Sequence, residues 1–378
     1  MARRKPIYPG VYVEEVPSGV HPITGVSTSV TALVGPALRG PVNKAVRITS
    51  FSEFEQRFGG LSAKLETGYA LRQFFLNGGQ QAWVVRVAQN ATLKQLNAGL
   101  RALPQVESIN LLALPGVTSP EAIALAASHA QQHRAFLIVD APAGTKTPAA
   151  IGAAVRSLAF EPRSQAAIYF PWIKIPDPLK KGKLRRSPPS GTIAGLFART
   201  DAQRGVWKAP AGMEATLTGV PELDYPLTDS ENGMLNPRGI NALRTFPRSG
   251  PVVWGARTLA GDDGLASEYK YIPVRRLALF LEASLDRGTQ WAVFEPNAEP
   301  LWAQLRLHIG TFLNTLFRQG AFQAATPRDA YFVKCDRETT TQADLDAGRV
   351  NFHIGFAPLK PAEFVILKFT QRTGSAAP

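Results

Sequence analysis

The chain has 378 residues, enough for about two domains of ordinary size, and its 45% hydrophobic and 19% charged residues are spread along its length, a balance that excludes global disorder. A single cysteine, Cys335, excludes an internal disulfide and a cysteine-rich zinc site. Of the formal net charge of +13, residues 1–255 hold +12, so any polyanion-binding role belongs to that part of the chain.

Residues 1–23 read as an arm. Pro6, Pro9, Gly10, Pro17, Gly19 and Pro22 punctuate a short strand-like run over residues 11–16, which is too small for a core of its own. This N-terminus lacks the apolar run of a signal peptide, and no stretch reaches the roughly 18 to 20 apolar residues of a membrane span. The expectation is a protein made and kept in the cytosol, without membrane insertion.

From residue 24 to about 255 strand and helix patterns alternate. Residues 30–37 and 82–88 predict buried strands, whereas 51–58 and 66–76 carry apolar residues three and four apart and predict helices. A helix is predicted over 119–133, because Ser119 before Pro120 and Glu121 is a favoured N-terminal cap. A strand over 135–140, a helix near 148–158 and a strand over 166–172 complete the series. Such alternation implies a layered α/β domain with a substantially parallel sheet. Within it, residues 174–191 hold Lys174, Lys180, Lys181, Lys183, Arg185 and Arg186 against Asp177 alone. Their Pro and Gly content predicts a solvated surface loop. As a phosphate-binding patch it would lack aromatic residues after Trp172 to stack on bases.

The pattern changes after residues 254–258. Two long amphipathic helices are predicted, over 272–289 and 301–320, separated by a strand-like stretch over 290–295. In the second helix Leu301, Leu305, Ile309, Phe312, Leu313 and Leu316 form one stripe and should be core. Strands are predicted over 330–336, 350–358 and 362–372. The chain thus divides into the arm 1–23, an α/β domain 24–255 and a C-terminal domain 256–378.

Catalytic and cofactor motifs are missing. There is no P-loop, no G-x-S-x-G elbow and no dinucleotide fingerprint after a predicted strand. His129 and His133 lie one helical turn apart but lack a third ligand at a family spacing. Cys335 falls in an apolar strand, where a thiol is ordinarily inert. Adjacent Asp262 and Asp263, in a Gly-rich stretch, read as a turn and not as an acid and base pair. No catalytic residue, cofactor or metal is assigned. An α/β enzyme and a basic nucleic-acid-binding protein remain as alternatives, the first on fold class alone and the second on charge alone.

Both ends of the chain form strands that are apolar enough to be hazardous if exposed. Residues 364–367 carry no charge, with only Glu363 and Lys368 as gatekeepers, although free edges are normally blunted. Pairing with neighbouring chains by strand addition resolves this. A head-to-tail joint of that kind that does not close yields a tube.

Residues 8–43 (YPGVYVEEVPSGVHPITGVSTSVTALVGPALRGPVN), 50–60, 74–87, 188–212, 235–259, 271–297 and 357–369 together resemble the contractile tail sheath family. The resemblance covers nearly the entire chain in the family's order. It implies a structural subunit, not an enzyme, that polymerises with copies of itself as stacked six-membered rings around an inner tube protein. Contraction then drives the tube through a target envelope. It further implies an outer α/β domain and an inner α+β C-terminal domain whose sheet is completed by arms of adjacent subunits. Tyr8, Val11, Tyr12, Val13 and Val16 match the N-terminal linking arm; Phe364, Val365, Ile366, Leu367 and Phe369 match the C-terminal linking strand. Arg306 and Arg318 are the candidate contacts to an acidic tube surface. Baseplate and terminal cap proteins are the other implied partners; a small-molecule substrate and nucleic acid are not.

Overall fold

The structure is a computed structural model that describes residues 21–106 and 108–364. In chain order the larger region runs β1 (Thr31–Pro36), β2 (Ala45–Ile48), α1 (Phe51–Phe58), α2 (Glu66–Leu76), β3 (Ala82–Val87), α3 (Leu93–Leu100), β4 (Leu111–Ala113), α4 (Pro120–Gln132), β5 (Phe136–Asp140), α5 (Pro148–Arg156) and β6 (Ala166–Phe170). It continues with β7 (Ile173–Pro176), β8 (Leu184–Ser187), α6 (Ser190–Arg204), β9 (Glu222–Leu223), α7 (Asp229–Leu235), β10 (Ile240–Phe246) and β11 (Gly250–Val253).

Eight of these strands form one sheet in the order β11-β10-β6-β5-β4-β1-β3-β2. The six central strands pair in parallel, and β2 and β11 close the two edges antiparallel. Central strands such as β5, whose five residues are all buried, have no polar face because helices cover both sides. Side chains still alternate across the sheet. Val34, Leu112, Leu137 and Ile168 face a core with α3, α4 and α5. Their neighbours Leu33, Leu111, Ile138 and Tyr169 face a second core with α1, α2 and α6. Helix starts follow the expected chemistry: the Ser119 hydroxyl accepts from the Ala122 N–H, with Pro120 in the first turn of α4. Helix α6 lies very close to α2, since a Cβ at Gly191 would collide with the Ala70 carbonyl and one at Gly195 with that of Phe74.

The rest of the chain forms α8 (Ile272–Gly288), α9 (Glu299–Arg318), α10 (Pro327–Ala330), β12 (Tyr331–Lys334), α11 (Gln342–Asp346) and β13 (His353–Phe356). All six residues of the predicted stripe on α9 are buried, together with Leu277, Leu281 and Leu285 of α8. Helix α8 also sends Ile272 and Leu279 into the core under the large sheet, so it belongs to both regions. A buried ion pair ties it further: Arg276 on α8 donates to both carboxylate oxygens of Asp201 on α6, at 2.8 and 2.6 Å, and to the Thr28 carbonyl at 2.9 Å. The antiparallel pair β12 and β13 stands as a separate two-stranded sheet.

Two expectations fail. Residues 290–295 are not a strand but a 3₁₀ turn, Gln290–Ala292, followed by Phe294 at φ 71°. The turn closes α8 and stacks Trp291 on His21, with 4.5 Å between ring centroids, so the apparent alternation served a turn's packing. Nor are residues 174–191 one loop. They fold as the hairpin β7–β8 and then enter α6. Ile173 and Ile175 are buried on one face of β7, and exposure is confined to Pro176 and to residues 178–184 around the tip, with Lys180, Lys181 and Lys183. Basic and Pro-rich composition hid that alternation. Strand β4, the helices α3 and α6 and the hairpin β10–β11 were not anticipated at all. Of the predicted strand over 362–372, residues 362–364 are described and run without strand pairing. The remainder lies outside the described residues.

Candidate functional site

In doubly wound sheets ligands bind where the strand order reverses, beyond the carboxyl ends of the strands. Here that place is between β1 and β4, and the chain's own residues fill it. The first turn of α2 covers it, Thr67 packing against Gly35 and Glu66 beside Gly116. From the β7–β8 hairpin Arg185 reaches in, donating to Glu66 at 2.6 Å and lying 3.6 Å over the Tyr69 ring. The Tyr69 hydroxyl donates to Asp177 at 2.6 Å, and Arg186 pairs with Asp224 at 2.6 Å. The two arginines of the basic run are thus engaged within the subunit. Next to this plug, Asp140 at the end of β5 is wholly buried. It accepts from the Gly116 N–H, the Ser190 N–H and the Ser190 hydroxyl at 3.0, 2.8 and 2.7 Å. Burial pushes its carboxyl up to about 6 despite those three donors.

The other chemical candidates are occupied or inert. His129 Nε2 is 2.9 Å from the Asn97 side-chain oxygen, and burial holds both His129 and His133 below the ordinary histidine value. Cys335 is buried, and burial pushes its thiol up to about 11. Asp262 and Asp263 point apart, as expected of a turn. Asp262 accepts from the Gly264 N–H, whereas Asp263 accepts from Arg257 at 2.8 Å and from Lys270 at 2.6 Å. Among the described residues no group of three or more His, Cys, Asp or Glu is placed to hold a metal ion.

Arg257 is the centre of the most developed polar cluster. Only 1% of it is exposed, so its charge must be matched within the protein. Its Nε and Nη2 donate to the two oxygens of Glu363 at 2.7 and 2.5 Å, and its Nη1 donates to Asp263 and to the Gly261 carbonyl. Planar two-point pairing of this kind is specific to arginine. The Tyr271 hydroxyl donates to Glu363 at 3.3 Å. Burial alone would raise the Glu363 carboxyl, but the hydrogen bonds and charge of Arg257 outweigh it and hold the group below the ordinary glutamate value. The backbone of Arg257 is fixed in turn. Asn241 on β10 accepts from its N–H and donates to its carbonyl, both at 2.7 Å, and also donates to the Ile168 carbonyl of β6.

The clamp sits at the root of the C-terminal segment. Residues 359–364 form one wall of a cleft of about 650 Å³ whose other lining includes Arg204, Trp207, Lys208 and Trp254. Phe364, the residue after the clamp, is 76% exposed. The remaining proposed linking residues, Val365, Ile366, Leu367 and Phe369, and the arm residues Tyr8, Val11, Tyr12, Val13 and Val16, lie outside the described residues. The two arginines of α9 differ. Arg306 is half-buried and bound within its own subunit, to the Cys335 carbonyl and to Glu299 at 2.5 Å, whereas Arg318 is exposed in the last turn. Glu299 lies two residues before the predicted helix start, but α9 includes it.

Comparison with known proteins agrees with this architecture. Residues 89–259 match the phage tail sheath protein central domain, and residues 266–372 the phage tail sheath C-terminal domain. The sheath complex of an extracellular contractile injection system, PVC, solved in the contracted state, superposes with a TM-score of 0.80 at 31% identity, covering 98% of this chain and 99% of that one. A chain of the anti-feeding prophage baseplate, six-fold symmetrised, gives 0.77 at 32% identity over 97% and 99%. A prophage major tail sheath protein of Pseudomonas aeruginosa (strain UCBPP-PA14) is 28% identical over 260 residues, 67% of this chain but only 62% of the relative's length. The fold is therefore that of the structural subunits of contractile sheaths. By these matches along nearly its whole length, the chain belongs to the phage tail sheath family.

Proposed function

We propose that this chain polymerises with its own copies as stacked six-membered rings around an inner tube protein, and contracts to drive that tube through a target envelope. It acts as a structural element, not as an enzyme. Baseplate and terminal cap proteins bound the cylinder, which is assembled in the cytoplasm where the chain is made. The observation that carries this is the state of β12 and β13. A two-stranded sheet is marginal alone, and each strand has one unpaired edge among the described residues. Strands from neighbouring subunits, residues 8–16 of one and 362–372 of another, complete it. Six-fold order is supported by the six-fold symmetrised assembly in which a similar chain was solved.

In this arrangement residues 24–255 form the outer domain and residues 256–378 the inner one, facing the tube. Arg318 is the better placed of the two arginines for an acidic tube surface, because Arg306 is bound to its own subunit. Overexpressed protein should form ribbed cylinders by negative-stain microscopy. A chain that stays monomeric at high concentration, with both β12 and β13 edges protected from hydrogen exchange, would overturn the proposal.

A further inference from the structure

We propose that Arg257 is the residue through which pull on the C-terminal strand enters the subunit, so that load passes to the large parallel sheet and not to the two-stranded sheet beside it. This rests on the linking role given above to residues 362–372. Along the chain, the obvious anchor for that strand is β13, which ends only seven residues before Glu363. The intervening stretch, however, borders an open cleft for much of its length, so a pull applied at Phe364 meets the Glu363 clamp first.

From that point the contacts form a continuous path into the interior. The Glu363 carboxylate is gripped at two points by Arg257. Both backbone polar groups of Arg257 are held by Asn241. Asn241 belongs to β10 and bonds across to β6, where Ile240 and Ile168 are in parallel register. Each link is a hydrogen bond made to the guanidinium of Arg257 or the amide of Asn241, both at most 1% exposed, where directional bonds resist displacement best. Asp263 shares the guanidinium but lies on the far side from the strand, so it neutralises Arg257 without lying on the path. Arg257 and Glu363 are therefore positioning residues for the joint. The arrangement depends on the planar fork of arginine, which lysine lacks.

The test uses the full chain with Glu363→Gln, Arg257→Lys or Asp263→Asn, and a chain ending at Glu363. Thermal melting of unpolymerised subunits is measured beside cylinder length and survival under shear by microscopy. Expected for Glu363→Gln and Arg257→Lys are a loss of melting temperature comparable to that of Asp263→Asn and, unlike that variant, cylinders that break between rings, their mean length falling roughly tenfold, the factor that loss of one charge-assisted bond carries. Asp263→Asn should leave length unchanged even where it lowers melting. Cylinders of normal length and shear resistance from the Glu363 and Arg257 variants, with none from the truncated chain, would overturn the load path while leaving the linking role intact. Shortening by all three substitutions in proportion to lost melting temperature would overturn it too, by making the cluster merely structural. Full cylinders from the truncated chain would instead remove the linking role itself.

Discussion

The two regions of the molecule solve the sheet-edge problem in opposite ways. In the large sheet both edges are closed by short antiparallel strands, β2 and β11, both faces are covered by helices, and the crevice at the strand-order reversal is plugged by Arg185 and the first turn of α2. In the C-terminal region α8 and α9 make a well-packed helical core, yet among the described residues the sheet laid on it has two strands. One region is finished within the chain; the other has, among the described residues, the free strand edges proposed above for neighbouring copies. A subunit that must hold its shape while its joints stay connected benefits from that division.

The comparison is broken most directly by removing residues 1–22. The buried residues of the large sheet and of the α8–α9 core all lie beyond residue 22, and among the described contacts only the His21 ring against Trp291 and His308 is lost, so the truncated subunit should stay folded by circular dichroism and build no cylinders. Cylinders as abundant as those of the intact chain would show that the N-terminal arm is not a joint. Next come substitutions that strain or hollow each core. Gly191→Ala should cost roughly 3 kcal/mol in urea unfolding, because α6 cannot approach α2 with a Cβ against the Ala70 carbonyl. Leu313→Ala should cost about 3 kcal/mol as well, but its apparent loss should shrink in the polymer, where neighbours bind the folded C-terminal region. Equal losses in free subunit and polymer would remove the distinction.

Acid separates the regions with a smaller effect of opposite sign. The Asp140 carboxyl, up at about 6 against an ordinary 3.8, favours folding fully below pH 3.8, and that contribution is lost as pH rises through about 6. The swing is at most about 3 kcal/mol, and Asp140→Asn should flatten it in urea midpoints measured between pH 4 and 7. Glu363, held below the ordinary glutamate value, works the other way. Its contribution is present above pH 4.5 and is lost as pH falls through its own lower value. Smaller again is the effect of Arg318→Glu, which should reduce assembly around the tube more than tube-free polymerisation; equal reduction would count against a tube contact. Least of all, Cys335 should react with a maleimide at pH 8 only after unfolding, since its thiol is buried and pushed up to about 11.

Features written in local periodicity were legible from sequence. The stripe from Leu301 to Leu316, the Ser119 cap and the apolar runs of β1, β3 and β5 announce their elements because neighbours in sequence decide them. The hairpin β7–β8 was misread because its buried positions, Ile173 and Ile175, are separated by Lys174 and followed by Pro and Lys residues that signal a loop. The short strand β4, only three residues long, offers too little pattern to detect. The clamp could not be foreseen, since Arg257 and Glu363 lie 106 residues apart. In the sequence Glu363 stands only as a gatekeeper of an apolar strand. Its isolation among apolar neighbours was the one available signal that a cation awaited it.

The pair of Arg276 and Asp201 decides which parts of the subunit are free to move. It is 3% and 4% exposed at its two side chains and fastens α8 to α6 and to Thr28. Opening it would strand a charge in the interior, at a cost of roughly 3 to 5 kcal/mol. Bending between the two halves is thereby discouraged. In the contraction proposed above, each copy would then swing as a stiff lever without an elbow, and the stroke of the cylinder would be set by how far such levers can turn against one another.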